Sequence, residues 1–158
     1  MLKLRRAKEG DCRLLWEWRN EPDVRLSAFD PEPIEWMDHV RWFQSRLQSP
    51  KCFIYIIETL EGLLVGQVRF DIRDNKLAEI DIHIQKDQRG RGYGLEALRL
   101  ACDDLVKNVD LDGLLALVKS DNHRSIRLFH RAGFRERKKC KVKGFQAIEM
   151  IRRVKRCL

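Results

Sequence analysis

Apolar residues recur along the chain with two periods, and the changes from one to the other mark the elements. Residues 2–7 alternate apolar and basic side chains, as a half-buried strand does. Leu14, Leu15 and Trp18 then share one side of a predicted helix, with Asp11 placed to cap it and Asn20-Glu21-Pro22 to end it. Two prolines make residues 27–33 a loop, after which Trp36, Val40, Trp42, Phe43 and Leu47 return to helical spacing until Ser49-Pro50. From Cys52 the period shortens to two. Residues 53–59, 64–72 and 77–85 read as strands of an antiparallel meander, separated by Glu61-Gly62 and Asp74-Asn75-Lys76. The third alternates strictly, with Ala78, Ile80, Ile82 and Ile84 on one face and Glu79, Asp81, His83 and Gln85 on the other.

Beyond residue 94, Leu95, Leu98, Cys102, Leu105, Val106 and Val109 mark a long helix. An apolar strand at 114–118, a short helix at 122–132 closed by Gly133, and strands at 134–142 and 145–154 complete the chain. The order is strand, two helices, three strands, helix, strand, helix, two strands, which predicts an α/β layer structure around one mixed sheet. With 158 residues, 44% of them hydrophobic, the chain has material for one core, so residues 1–158 are expected to form a single domain.

Charge narrows the partners. A net charge of +8 favours nucleic acid, an anionic membrane or a polyphosphate ligand. No apolar run approaches the roughly 20 residues of a membrane span, and the opening Met-Leu-Lys-Leu-Arg-Arg leads straight into patterned sequence with no signal-peptide core. Cys12, Cys52, Cys102, Cys140 and Cys157 are scattered, without C-x-x-C pairs or histidines at metal-ligand spacing. Reduced thiols, no metal and a cytoplasmic location are the expectation.

The chemistry concentrates in Gln88-Arg89-Gly90-Arg91-Gly92-Tyr93-Gly94, between the third meander strand and the long helix. Glycines there let a ligand approach backbone N–H groups, and a helix N-terminus adds positive potential, so the loop suits phosphoryl oxygens. A dinucleotide fingerprint would need glycine at Leu95, and no G-K-[ST] follows for a P-loop. An RNA-binding RGG fragment and a plain tight turn are the other readings; the former occurs in repetitive disordered tracts, and this loop joins two patterned elements.

Arg89-x-x-Gly92-x-Gly94, preceded by Ala-Glu-Ile-Asp-Ile-His-Ile and followed by a long helix, resembles the acyl-CoA-binding signature of the GNAT family of N-acetyltransferases. Asn122-His-Arg-Ser125-Ile-Arg-Leu128-Phe129-His-Arg-Ala-Gly133-Phe134 is similar to the family's second conserved segment. The resemblance implies a mixed sheet of six to seven strands with about four helices, and a splayed strand pair that admits acetyl-CoA. By it, the N–H groups of Arg89, Gly90, Arg91, Gly92, Tyr93 and Gly94 hold the pyrophosphate, the edge at Ile82, His83 and Ile84 pairs with pantetheine amides, and Asn122 and Ser125 hold the pantetheine arm. Asn122 also reads as an ordinary helix cap. The family often has a tyrosine that protonates the departing thiolate; Phe129 stands there and has no proton to give.

An alkylammonium has a pKa of about 10.4, so a base or water relay must deliver the amine uncharged. The polar face of the third meander strand offers His83 first, then Asp81 and Glu79. In the family the acceptor site is built from the N-terminal helices and their loop. Here the W-R-N, V-R and H-x-x-W-F pieces resemble N-acetyltransferases of nucleotide-linked amino sugars, of the pseudaminic-acid type, and in part those of ribosomal-protein N-termini. Arg19, Asn20, Arg25 and His39 are the expected acceptor residues, and the tryptophans are assigned mainly to packing. The readings left open are transfer to an amino sugar nucleotide, transfer to a peptide α-amine, and a basic binding module that uses CoA only as a regulatory ligand or binds RNA through residues 138–143 and 152–156. The acceptor is expected to be a small amine, nucleic acid is disfavoured, and the chain is expected to be a monomer or homodimer.

Overall fold

In the computed structural model, which describes residues 1–155, the two periods resolve into seven strands and five helices. They run β1 (Leu2–Arg6), α1 (Cys12–Asn20), α2 (Pro22–Ser27), α3 (Trp36–Gln48), β2 (Cys52–Thr59), β3 (Leu64–Ile72), β4 (Leu77–Ile84), α4 (Tyr93–Asn108), β5 (Gly113–Lys119), α5 (His123–Arg131), β6 (Arg135–Val142) and β7 (Phe145–Arg153). Arg156 and Cys157, named above for charge and thiol chemistry, lie outside the described residues.

Helix α2 departs from the expected layout. Pro22 fits the first helical position, where its missing N–H costs nothing, so the chain turns once more before the loop begins. Asp11 departs too. It stands at the head of α1 but does not cap it: its carboxylate accepts from the Arg5 guanidinium at 2.7 and 2.8 Å and from the Lys8 N–H at 2.8 Å. A charged partner on β1 outcompetes the helix N–H groups.

The sheet order is β1-β2-β3-β4-β5-β7-β6. Every neighbouring pair is antiparallel except β4 and β5. One face packs on α4 and α5, where Leu98, Ala101, Cys102 and Leu105 meet Phe70, Ala78, Ala116 and Met150. On the other, Leu15, Trp18 and Phe43 cover Cys52, Ile54 and Ile56.

The parallel pair is short. Leu77, Ala78 and Glu79 pair with Gly113, Leu114 and Leu115, and residues 80–84 have no ladder partner on the β5 side. On its other side β4 stays paired with β3 to the end, Gly66 standing opposite Ile84. That approach is close: a Cβ at Gly66 would lie 2.1 Å from the His83 carbonyl oxygen. Glycine at 66 therefore lets β4 lean onto β3 as it parts from β5. Gly66→Ala should cost roughly 1–3 kcal/mol or more by overpacking, lowering the thermal midpoint by roughly 3–10 °C for a domain of this size. Unchanged melting would show that the contact relaxes freely.

Candidate active site

The parting of β4 and β5 opens a cleft of about 930 Å³ that reaches both faces of the sheet. One end is bounded by the glycine loop and α5, the other by α1, α2, α3 and the polar face of β3 and β4.

At the loop end, a helical turn at Lys86–Gln88 follows β4, and Gly90 and Gly92 take φ of +78° and +79°. Gly92 heads α4 with no side-chain cap, and the first N–H bonded back to its carbonyl is that of Glu96. The N–H groups of Tyr93, Gly94 and Leu95 therefore lack helical acceptors and face the cleft end of a 16-residue helix. A Cβ at Gly90 or Gly92 would meet nothing within 4 Å, so the space before the loop is open. Free donors, positive dipole and open space suit a phosphoryl group.

Arg89 lines the cleft, but its N–H, one of the six expected to hold the pyrophosphate, bonds the Lys86 carbonyl at 3.3 Å. Its Nε bonds the Ile84 carbonyl at 2.8 Å and its Nη1 bonds the Asp23 carboxylate in α2. Arg91 is exposed. Asn122 caps α5 through the Ser125 N–H at 3.2 Å, and both residues line the cleft. Phe129 is buried edge-on against Phe134 and also lines the cleft. Arg124, Arg127 and Arg131, with Lys143, form a basic lip that the sequence reading missed. Their i, i+3, i+7 spacing on one helical face was the available signal.

At the other end, register sets the polar wall: Gln67 stands opposite His83 and Arg69 opposite Asp81. The Asp81 carboxylate accepts from Gln67 Nε2 at 2.8 Å and lies 4.0 Å from Arg69. Glu79 is taken up by Arg73 at 2.8 Å and does not line the cleft. His83 is 8% exposed and tilted against Trp18, with a ring-centroid distance of 5.4 Å, and neither ring nitrogen has a hydrogen-bond partner. Burial first, then the Arg89 charge, pushes its pKa down to about 4, against weaker pulls from Asp81 and Asp23. His83 is thus a neutral, desolvated acceptor near neutral pH.

The four expected acceptor residues divide. Arg19 lines the cleft, donates through Nη2 to the Asp30 carbonyl at 3.0 Å, and leaves its buried Nη1 without a partner. Burial lowers its pKa, opposed by Asp81 and Asp30. His39 lines the cleft too, but its Nε2 is engaged by the Cys12 carbonyl at 2.8 Å. Asn20 and Arg25 brace the loop after α2: Asn20 holds both main-chain groups of Ile34, and Arg25 bonds the carbonyls of Asn20 and Pro31. Neither lines the cleft. Trp18 and Trp42, assigned to packing, wall it as well.

A family profile described as an acetyltransferase (GNAT) domain matches residues 1–135. The chain belongs to the GNAT acetyltransferase family. It is an acyltransferase with acetyl-CoA as cosubstrate. YwnH of Bacillus subtilis (strain 168), assigned as a phosphinothricin acetyltransferase, is 31% identical over 121 residues, covering 71% of this chain and 70% of that protein. The acetyltransferase PseH of Campylobacter jejuni is 24% identical over 139 residues, covering 85% of each. The spermidine N-acetyltransferase of Vibrio cholerae, solved with CoA and spermine, superposes with a TM-score of 0.86 at 20% identity, covering 96% of this chain and 95% of that one. The likeness confirms the expected GNAT fold and its mixed sheet. Among the described residues no helix is long and apolar enough to cross a membrane, and no three His, Cys, Asp or Glu side chains form a metal-binding group.

The buried imidazole makes stability depend on pH. Below its ordinary pKa of 6.5 the unfolded state takes up a proton that the folded state refuses until about pH 4, so stability falls as pH drops through that window. The full loss from His83 is up to ~3 kcal/mol, equivalent to a thermal-midpoint drop of roughly 6–12 °C. His39, also lowered by burial, adds in the same direction, and Glu21, raised by burial, opposes it. Comparing midpoints of the wild type and His83→Gln from pH 7 to pH 4 isolates the His83 share. Parallel curves would mean that His83 protonates freely in the folded protein.

Proposed function

We propose that this GNAT enzyme acetylates a primary amine on a small anionic acceptor, a nucleotide-linked amino sugar, by direct attack within a ternary complex. The observation that carries the acceptor class is the charge inventory of the chamber. Its carboxylates are already engaged: Asp23 by Arg89, Asp38 by Arg41, Asp81 by Gln67, and Asp30 by the Glu32 N–H. Among the eight Arg and Lys residues that line the cleft, Arg19 keeps a buried Nη1 with no partner. A cleft with an unpaired buried guanidinium nitrogen, and with eight Arg and Lys residues on its lining against four Asp, favours an acceptor carrying phosphate over a polycation. The sequence pieces that resemble those of amino-sugar enzymes support the same class.

In this reading the N–H groups from Gly90 to Gly94 take the pyrophosphate, the stretch of β4 at Ile82, His83 and Ile84 that lacks a β5 partner takes the pantetheine amides, with the Ile84 carbonyl already held by Arg89, and Asn122 and Ser125 flank the arm. Bound acetyl-CoA supplies the thioester carbon that the amine attacks and a thiolate that leaves. His83, at about 4, cannot strip an alkylammonium near 10.4, since a mismatch of about six pKa units costs ~9 kcal/mol. The amine must therefore reach the chamber uncharged, the half-open Asp81 side passing its proton to water, and His83 accepts the second proton as the nitrogen gains positive charge. Among the described residues, four thiols without disulfides fit a reducing cytoplasm, the location we assign. We read the basic strand β6 as a solvated edge of a monomer or homodimer, with nucleic acid outside its range of partners.

Titration calorimetry with acetyl-CoA, followed by thiol release on UDP-glucosamine, spermidine, kanamycin and N-terminal peptides, tests the reading. Release on the nucleotide sugar alone supports it; release on peptides or polyamines alone overturns the acceptor class. His83→Ala should lower turnover by about 100-fold or more, leaving acetyl-CoA affinity within about twofold; unchanged turnover across pH removes His83 from the mechanism. Gly92→Val should weaken acetyl-CoA binding by at least about tenfold, since a β-branched residue at φ +79° distorts the loop. Undiminished affinity would move the pyrophosphate elsewhere.

A further inference from the structure

Helix α2 walls the chamber through Asp23, Val24 and Ser27, yet it buries little of itself. It is six residues long, buries no side chain fully, and leaves Leu26 73% exposed. A helix that short has no stability of its own in water. Besides its own Arg25 on the Asn20 and Pro31 carbonyls, two cations hold it, one beyond the end of β4 and one at the end of β5. Arg89, just past the turn after β4, bonds the Asp23 carboxylate in its first turn. Lys119, the last residue of β5, donates from Nζ to the Leu26 carbonyl in its last turn at 2.8 Å.

The Lys119 contact is a built one. The side chain is 8% exposed, its ammonium lies 3.8 Å from the centroid of the Phe145 ring, and its hydrogen bond goes to a main-chain carbonyl. A cation buried on these terms is worth keeping only if the groups it holds must stay placed. Arg89 is equally committed, since its Nε is bound to the Ile84 carbonyl at the end of β4. The helix thus bridges the open end of the gap, with its two turns referenced to the two strand ends.

We propose that Asp23 and Lys119 are positioning residues that strap α2 across the β4–β5 gap and so fix the acceptor wall relative to His83. The strap makes acceptor affinity depend on how far the strands are parted, although neither residue touches the reacting atoms. This rests on the reading of the chamber as the acceptor site.

The test uses Asp23→Asn, Lys119→Met and the double variant in the full chain, with hydrogen exchange of residues 22–28 and steady-state kinetics on whichever probe amine gives the highest thiol release. We expect exchange of that segment to rise about tenfold in each single variant and further in the double, with the rest of the sheet unmoved. Acceptor KM should rise about tenfold, while kcat and acetyl-CoA Kd change by less than about threefold. A general loss of fold would raise exchange throughout and lower kcat instead, and Asp23→Asn, at a half-exposed position, carries the test if Lys119→Met does not fold. Unchanged exchange in 22–28 overturns the strap. So does a rise in acetyl-CoA Kd with acceptor KM unmoved, which would make Lys119 part of the cofactor site. If no amine is acetylated, the transfer reading fails on its own, and the exchange result still decides the tether.

Discussion

The structure depends on one failure of pairing. Two parallel strands share three ladder positions and then separate, so the backbone of residues 80–84 faces a cleft with no strand across it. Inside a sheet such groups are costly unless something else pairs with them. The cleft they border is the one place in the described residues where an extended ligand can enter between strands, and the glycine loop and α4 N-terminus stand at its mouth. Gly66 makes the separation feasible from the far side by letting β4 press against β3. Fold and cofactor cleft therefore have a common origin.

Burial does the rest of the chemistry. The same apolar surroundings that place Trp18 on His83 remove water from the ring and hold it neutral. Within one chamber this gives an imidazole that accepts and an arginine that donates, each with nitrogen left unpaired. Cations outnumber carboxylates on the lining, eight Arg and Lys to four Asp, and one guanidinium nitrogen among them is buried without a partner.

The layers were legible because period is a local property: the switch from helical spacing to alternation at Cys52 located the meander, and the faces of β4 fell as the alternation required. The glycine loop was legible because few backbones need so many glycines. What escaped was pairwise. No spacing rule shows that Asp11 will prefer Arg5 to its own helix, that Glu79 will be taken by Arg73, or that Asn20 and Arg25 will brace a loop when Arg19 beside them faces the chamber. These are competitions between partners far apart in sequence, decided by tertiary geometry. Helix α2 was missed because Pro22 reads as the end of α1 rather than as the first position of a further turn, and its side-chain partners Arg89 and Lys119 lie 66 and 93 residues from their contacts.

Phe129 shows how the parts constrain one another. It sits against Phe134 and walls the cleft, where a hydroxyl would bring a proton donor. A thiolate is stable enough near neutral pH to leave without one, unlike an alkoxide. A hydroxyl buried there would also need its own partner, and an unsatisfied one costs about 1–3 kcal/mol. An apolar residue keeps that wall of the cleft free of hydroxyl and of the water it would recruit, and dryness is what holds His83 neutral at the other end of the gap. Losing the acid is therefore consistent with the base the site has: both follow from a cleft in which main-chain groups and a few buried nitrogens carry all the polar chemistry.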